Sequence, residues 1–135
     1  MADGLMLEIV TPEKRVFRDV VEEVTIPGSE GEFGVLIGHE PLLSMVKAGE
    51  LNFTKDNRKT YYAADSGYAE VTEDAVTVIV ESALRADMID RDAARRERDD
   101  AASQVAQMDK DDPGYEQATA LLARAETRLK VVEKL

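Results

Sequence analysis

A glycine-rich stretch, one histidine and two sets of spaced arginines are the residues of this chain whose types could do chemistry. Gly28, Gly31, Gly34 and Gly38 follow one another at steps of three or four. Such a loop cradles phosphate when it ends in Gly-Lys-Ser/Thr or has the spacing of a dinucleotide turn, because backbone N–H groups then converge on the anion. Neither pattern is present, and Glu30 and Glu32 would repel phosphate, so the glycines read as turns between strands. His39 is the single histidine. It cannot build a multi-histidine zinc site and has no nucleophile elbow around it, so a surface loop or interface is its expected place. Carboxylates are plentiful, yet none is spaced as an acid–base pair. No catalytic constellation and no metal site is expected.

The arginines offer anion recognition instead. Arg91, Arg95 and Arg98 stand at i, i+4 and i+7, flanked by Asp92, Asp99 and Asp100, which on a helix gives a basic stripe within a salt-bridged face. Arg124 and Arg128 form an i, i+4 pair able to converge on one anion or one carboxylate-rich partner. Taken alone, both sets read as solvated faces.

The elements that must position these residues fall into two unlike parts. All glycines and prolines except Pro113 and Gly114 lie at or before Gly67, and every aromatic except Tyr115 lies at or before Tyr68. Up to about Arg85, short apolar or alternating runs are bounded by Gly, Pro, Asp or Asn: 5–10, 20–26, 35–37, 42–46, 51–54, 60–64, 68–71 and 75–80. Many short strands at even spacing predict a β-sandwich or flattened barrel. Thereafter Ala, Arg, Glu and Gln dominate, which favours helix. Asp90 suits the N-cap of a first helix running to about Gln107, with Ala94, Ala101, Val105 and Met108 as its thin apolar stripe. Asp112 and Pro113 suit the cap and first position of a second helix, whose stripe is Ala118, Leu121, Leu122, Ala125, Leu129 and Val132. The short connection predicts an antiparallel two-helix hairpin. The expected fold class is thus β + α, with a sandwich over residues 1–86 and a hairpin over residues 87–135.

Charge narrows the function classes. The 135 residues carry 28 acidic and 17 basic side chains, a net charge of -11. Such a field repels nucleic acid and anionic lipid surfaces. No apolar run approaches the length of a bilayer span, and the segment from Met1 to Leu7 lacks a signal-peptide pattern. No direct membrane insertion is expected. With no cysteine, disulfides and thiolate chemistry are excluded. These observations alone leave open an acidic adaptor that binds another protein and a small hydrolase using a glutamate and His39.

A longer pattern goes further. Ile9-Val10-Thr11-Pro12-Glu13, Val24-Thr25-Ile26-Pro27-Gly28-Ser29-Glu30-Gly31-Glu32-Phe33-Gly34-Val35-Leu36, Gly38-His39-Glu40-Pro41-Leu42-Leu43, Gly67-Tyr68-Ala69-Glu70-Val71 and Ile89-Asp90 together resemble the epsilon subunit family of bacterial F-type ATP synthases over nearly the whole chain. The resemblance implies a non-catalytic rotor component of the central stalk, coupling proton-driven rotation to ATP synthesis. It implies that Glu30, Gly31 and Glu32 face the membrane rotor ring, and that His39, Pro41, Leu42 and Ser44 lie beside the gamma subunit. It implies a hairpin whose Arg91, Arg95, Arg98, Arg124 and Arg128 meet the alpha/beta catalytic head and restrain ATP hydrolysis. The place implied is the cytoplasmic face of a bacterial plasma membrane, held peripherally. Some members also bind ATP through an Ile/Leu-Asp-x-x-Arg-Ala motif and later arginines; Asp90, Arg124 and Arg128 match, but Ala93 stands where the motif has arginine. That departure counts against ATP as a ligand, and no other cofactor is expected.

Overall fold

The computed structural model describes residues 4–135, so the first three residues of the Met1–Leu7 segment, which lacks a signal-peptide pattern, lie outside it. Ten strands come first: β1 (Leu5–Val10), β2 (Arg15–Val21), β3 (Glu23–Gly28), β4 (Gly31–Val35), β5 (Leu42–Val46), β6 (Gly49–Lys55), β7 (Arg58–Ala64), β8 (Gly67–Val71), β9 (Ala75–Val80) and β10 (Ala83–Arg85). A 3-10 turn at Ala86–Met88 leads to helices α1 (Arg91–Ala106) and α2 (Tyr115–Val132). This is the expected sandwich followed by a helical hairpin.

The strands join in the order β10-β7-β6-β3-β5-β8-β9-β1-β2, with β4 on β3. All pairs are antiparallel except β1 with β9. Alternation sets the two faces. In β1, Leu5, Leu7 and Ile9 are fully buried while Met6, Glu8 and Val10 are half-exposed, because successive side chains on a strand point to opposite sides. Val76, Val78 and Val80 of β9, Val24 and Ile26 of β3, and Leu51 of β6 complete the inner layer. The sheet folds over this core until its far strand returns towards β6: the Phe17 ring meets Phe53 at 4.4 Å, and Lys55 pairs with Asp19.

Three local expectations need correction. The run 20–26 is two strands, broken at Glu22, because β2 pairs with β1 whereas β3 pairs with β4 and β6. The chain changes layers there, with the Glu22 N–H donating to the Thr54 carbonyl at 2.7 Å and its carboxylate accepting from the Asn57 N–H at 3.0 Å. Of 35–37, only Val35 is in a strand; Leu36 and Ile37 are exposed ahead of Gly38, whose φ of 87° turns the chain. Finally, α2 starts at Tyr115 behind Gly114 with no side-chain cap. The Asp112 carboxylate accepts from the Asp109 N–H at 2.9 Å, within the preceding turn.

Asp90 does cap α1, accepting from the Ala93 N–H at 3.0 Å. Between the helices the buried residues are Ala94 and Ala101 against Ala118 and Ala125, a close but small contact. The second helix also packs on β6 and β7, and Val131 meets Ala63 and Ala86 there, with Tyr61 and Ile89 at the rim. Serving two neighbours displaces the expected stripe: Thr127 and Val131 are buried and Leu121 is exposed. At about 25 cal/mol per Å² these small side chains hold the hairpin by only a few kcal/mol.

One inner residue gives stability a pH dependence. Tyr62 is 4% exposed, and burial pushes its phenol above the ordinary value, with Arg85 pulling the other way. A raised folded value means the neutral phenol is favoured by folding, so this contribution is whole below the unfolded value near about 10 and is lost as pH rises through the folded one. Tyr62→Phe is expected to flatten the alkaline limb of a stability-against-pH curve measured by urea unfolding. An unchanged limb would mean that Tyr62 ionises as freely in the fold as out of it.

Candidate partner-docking surfaces

Turn chemistry presents the first candidate. Residues Ser29 and Glu30 connect β3 to β4, with Gly28 opposite Gly31. Gly31 has φ 128°, a conformation that side-chain-bearing residues avoid. The Ser29 N–H donates to the Met45 carbonyl at 3.0 Å, which fastens the turn to β5. Glu30 and Glu32 are therefore displayed at one end of the sandwich, exposed and without an ion pair among the described residues.

The loop before β5 carries His39 and Pro41. His39 is half-buried; its N–H donates to the Leu36 carbonyl at 3.2 Å and its Nδ1 lies 2.6 Å from the Glu40 carbonyl oxygen. No carboxylate orients the ring among the described residues, so an acid–histidine pair has no geometry here. His39 adjoins the Leu42 end of β5, whereas the acidic turn adjoins the Met45–Val46 end. The structure does not bring them together. Leu42 and Ser44 share the phase of buried Val46, opposite Val71 and Ala69, with Leu42 still 41% exposed at the sheet's end.

The opposite phase of β5 holds what the sequence reading passed over. Met45 faces Tyr68 of β8, and Tyr68 faces Ile79 of β9, so three large side chains form one cross-strand row. All three are more than half exposed, as is Leu43 at 72% two residues away. The signal was available: β5, β8 and β9 carry apolar residues in both phases, which a strand needs only if both faces are covered. A contiguous apolar patch of this kind marks an interaction site. A groove of about 530 Å³ joins it to the acidic turn, lined by Glu30, Glu32, Phe33, Leu43, Ser44 and Met45.

The arginines divide. On α1, Arg91 and Arg95 are exposed and Arg98 is partly so; Arg95 lies 3.8 Å from Asp92 and Arg98 lies 2.9 Å from Asp99. On α2, Arg124 reaches Asp65 of the sandwich at 3.8 Å and Arg128 reaches Glu97 of α1 at 3.7 Å. Burial, then the neighbouring Arg124 charge, pushes Arg128 below the usual arginine value. In the docked hairpin the five do not share a face. The Asp90 carboxylate is engaged as a helix cap, and Ala93 has no donor side chain to offer a phosphate.

The fold defines a class: a β-sandwich module with an appended two-helix hairpin, carrying an exposed apolar row on one face of the sheet. Among the described residues no helix is long and apolar enough to cross a membrane, and no group of three or more acidic or histidine side chains is placed to hold a metal ion. Residues 4–86 match the family described as ATP synthase, Delta/Epsilon chain, beta-sandwich domain, and residues 87–133 match ATP synthase, Delta/Epsilon chain, long alpha-helix domain. The chain is 42% identical over 134 residues to the ATP synthase epsilon chain of Geotalea uraniireducens (strain Rf4), covering 99% of this chain and 97% of that protein. It is 45% identical to the ATP synthase epsilon chain of Syntrophobacter fumaroxidans (strain DSM 10017 / MPOB), covering 99% of each. In fold it resembles a chain of the Euglena gracilis mitochondrial ATP synthase, with a TM-score of 0.81 at 23% identity over 95% of this chain and 80% of that one. This chain belongs to the ATP synthase epsilon family.

Proposed function

We propose that this chain is a non-catalytic rotor subunit of the ATP synthase central stalk, held at the cytoplasmic face of a bacterial plasma membrane without inserting into it. The observation that carries the reading is the solvent-facing row of Met45, Tyr68 and Ile79 with Leu43 beside it. It is core-like surface left open to solvent, and the gamma subunit is the partner that covers it. His39, Pro41, Leu42 and Ser44 border that contact. Glu30, Gly31 and Glu32 meet the polar loops of the membrane ring, a contact in which charge complementarity sets register more than affinity.

The hairpin is the regulatory part. Its alanine-lined contacts and two long ion pairs to the sandwich, Arg124 to Asp65 and Lys134 to Glu50, make docking reversible. Released, Arg91, Arg95, Arg98, Arg124 and Arg128 engage the alpha/beta head and restrain ATP hydrolysis. ATP itself holds the hairpin weakly or not at all, since Ala93 removes a charge-assisted contact of about 1.5–3 kcal/mol.

Deleting residues 88–135 tests both halves of the proposal. The sandwich core is complete without them, so the shortened chain is expected to fold, to co-purify with gamma at unit stoichiometry, and to raise ATP hydrolysis by the assembled enzyme severalfold. Failure to co-purify would favour an acidic adaptor unconnected with the stalk. Unaltered hydrolysis, with and without a proton gradient, would remove the regulatory role alone.

A further inference from the structure

The main strand path ends at β10 and at β2, and a groove lies between these two ends. Among the described residues β2 pairs with β1 alone. At the other end β10 covers β7 opposite Tyr62, Ala63 and Ala64, after which the chain leaves the sheet into the turn at Ala86–Met88. Among the described residues, 58–61 therefore pair with β6 on one side and with no strand on the other. A groove of about 770 Å³ runs there, with Phe17 of β2 and Phe53 of β6 among its walls and Tyr61 and Lys134 beside the hairpin.

Its rim is basic in a molecule of net charge -11. Lys55, Arg58, Lys59, Arg85 and Lys134 line it against Asp56 and Asp87. Arg58 and Lys59 make no ion pair among the described residues. The others are anchored but not exhausted: Arg85 gives its Nε to Asp87 at 2.6 Å and keeps its terminal nitrogens, while Lys55 and Lys134 are steadied by Asp19 and Glu50. Cations already ordered lose less entropy when they take a further acceptor.

We infer that this groove binds an extended acidic segment of a partner protein as an added strand on β7. The segment's main chain pairs with the open edge at 58–61, and its carboxylates meet Arg58, Lys59 and Arg85. Strand addition draws affinity from backbone hydrogen bonds and specificity from alternate side chains. The cations suit an extended chain better than a compact anion, because they are strung along an edge rather than converging on a point. Tyr61 belongs to the cluster under the hairpin and Tyr62 to the inner core, so by alternation Lys59 and Arg58 also take opposite faces of β7. Basic residues on an open edge deter pairing between copies of the chain; an acidic strand turns that repulsion into attraction.

The test titrates the full chain with a short peptide alternating Glu and Val, followed by amide exchange and chemical-shift changes. Protection is expected at amides of 58–61 that lack a β6 partner. Arg58→Glu with Lys59→Glu is expected to weaken binding by about tenfold or more. Arg96→Glu with Lys110→Glu, the same charge change at exposed positions of the hairpin, is expected to weaken it by less than about threefold, a screened long-range effect. Equal weakening by the two pairs, or binding with no protection at 58–61, would overturn the inference. So would displacement of the peptide by tripolyphosphate at matching affinity, which would mark a small-anion site. If the charge-reversed variant loses its folded spectrum, Arg58→Gln with Lys59→Gln is read by the same criteria.

Discussion

A Met45→Glu/Tyr68→Glu double variant is expected to fold as the parent does and to be missing from the assembled synthase. Both side chains are more than half exposed in the isolated chain, so replacing them removes little from the core. The two positions stand opposite each other across β5 and β8 in the apolar row. Each large side chain withdrawn from a buried contact costs about 1.5–3 kcal/mol, and a carboxylate left there must also be desolvated without a partner. Together these weaken association by about a hundredfold or more. The measurement is stoichiometry after purification through another subunit, beside an amide spectrum of the free variant. Full retention at parent stoichiometry would show that the row is not where this chain is held.

The second large effect is on the fold itself. A Cβ on Gly67 would lie 2.0 Å from the Ile79 carbonyl oxygen and 2.7 Å from the Val80 Cα. These are backbone atoms of the strand paired with it, Gly67 standing opposite Val80, so no rotamer change relieves the clash. Gly67→Ala is expected to pry β8 from β9 at a cost of about 3 kcal/mol or more and to lower Tm by roughly 10 °C. Because Tyr68 is the next residue, docking should weaken with it. Gly34→Ala provides the contrast: nothing lies within 4 Å of its added Cβ, and its Tm is expected to stay within about 2 °C of the parent. Matching melting curves for the two variants would refute the account of Gly67.

Much of this architecture can be read from residue order because its causes are local. Alternation in β1, turn residues between short apolar runs, and the change to helix-forming residues after Arg85 all act within a few positions. Asp90 caps α1 because its carboxylate needs only the N–H three residues on. The long motif from Val24 to Leu43 points to the family for a related reason: turns and their flanking strands constrain one another over short distances. Asp112 fails as a cap through an equally local competition, its carboxylate already bonded to Asp109.

What the sequence alone determined was the two-part plan, the glycine turns beside Glu30 and Glu32, and the helical spacing of the arginines. Tertiary structure decided where β2 ends and β3 begins, since that break depends on which strands pair across the sheet. It also decided that Met45, Tyr68 and Ile79, far apart in the chain, make one row, and that β10 is too short to close the edge of β7. Periodicity shows which side chains share a face of one strand. Which strand lies alongside, in what register, and whether anything covers the far face are set by long-range pairing.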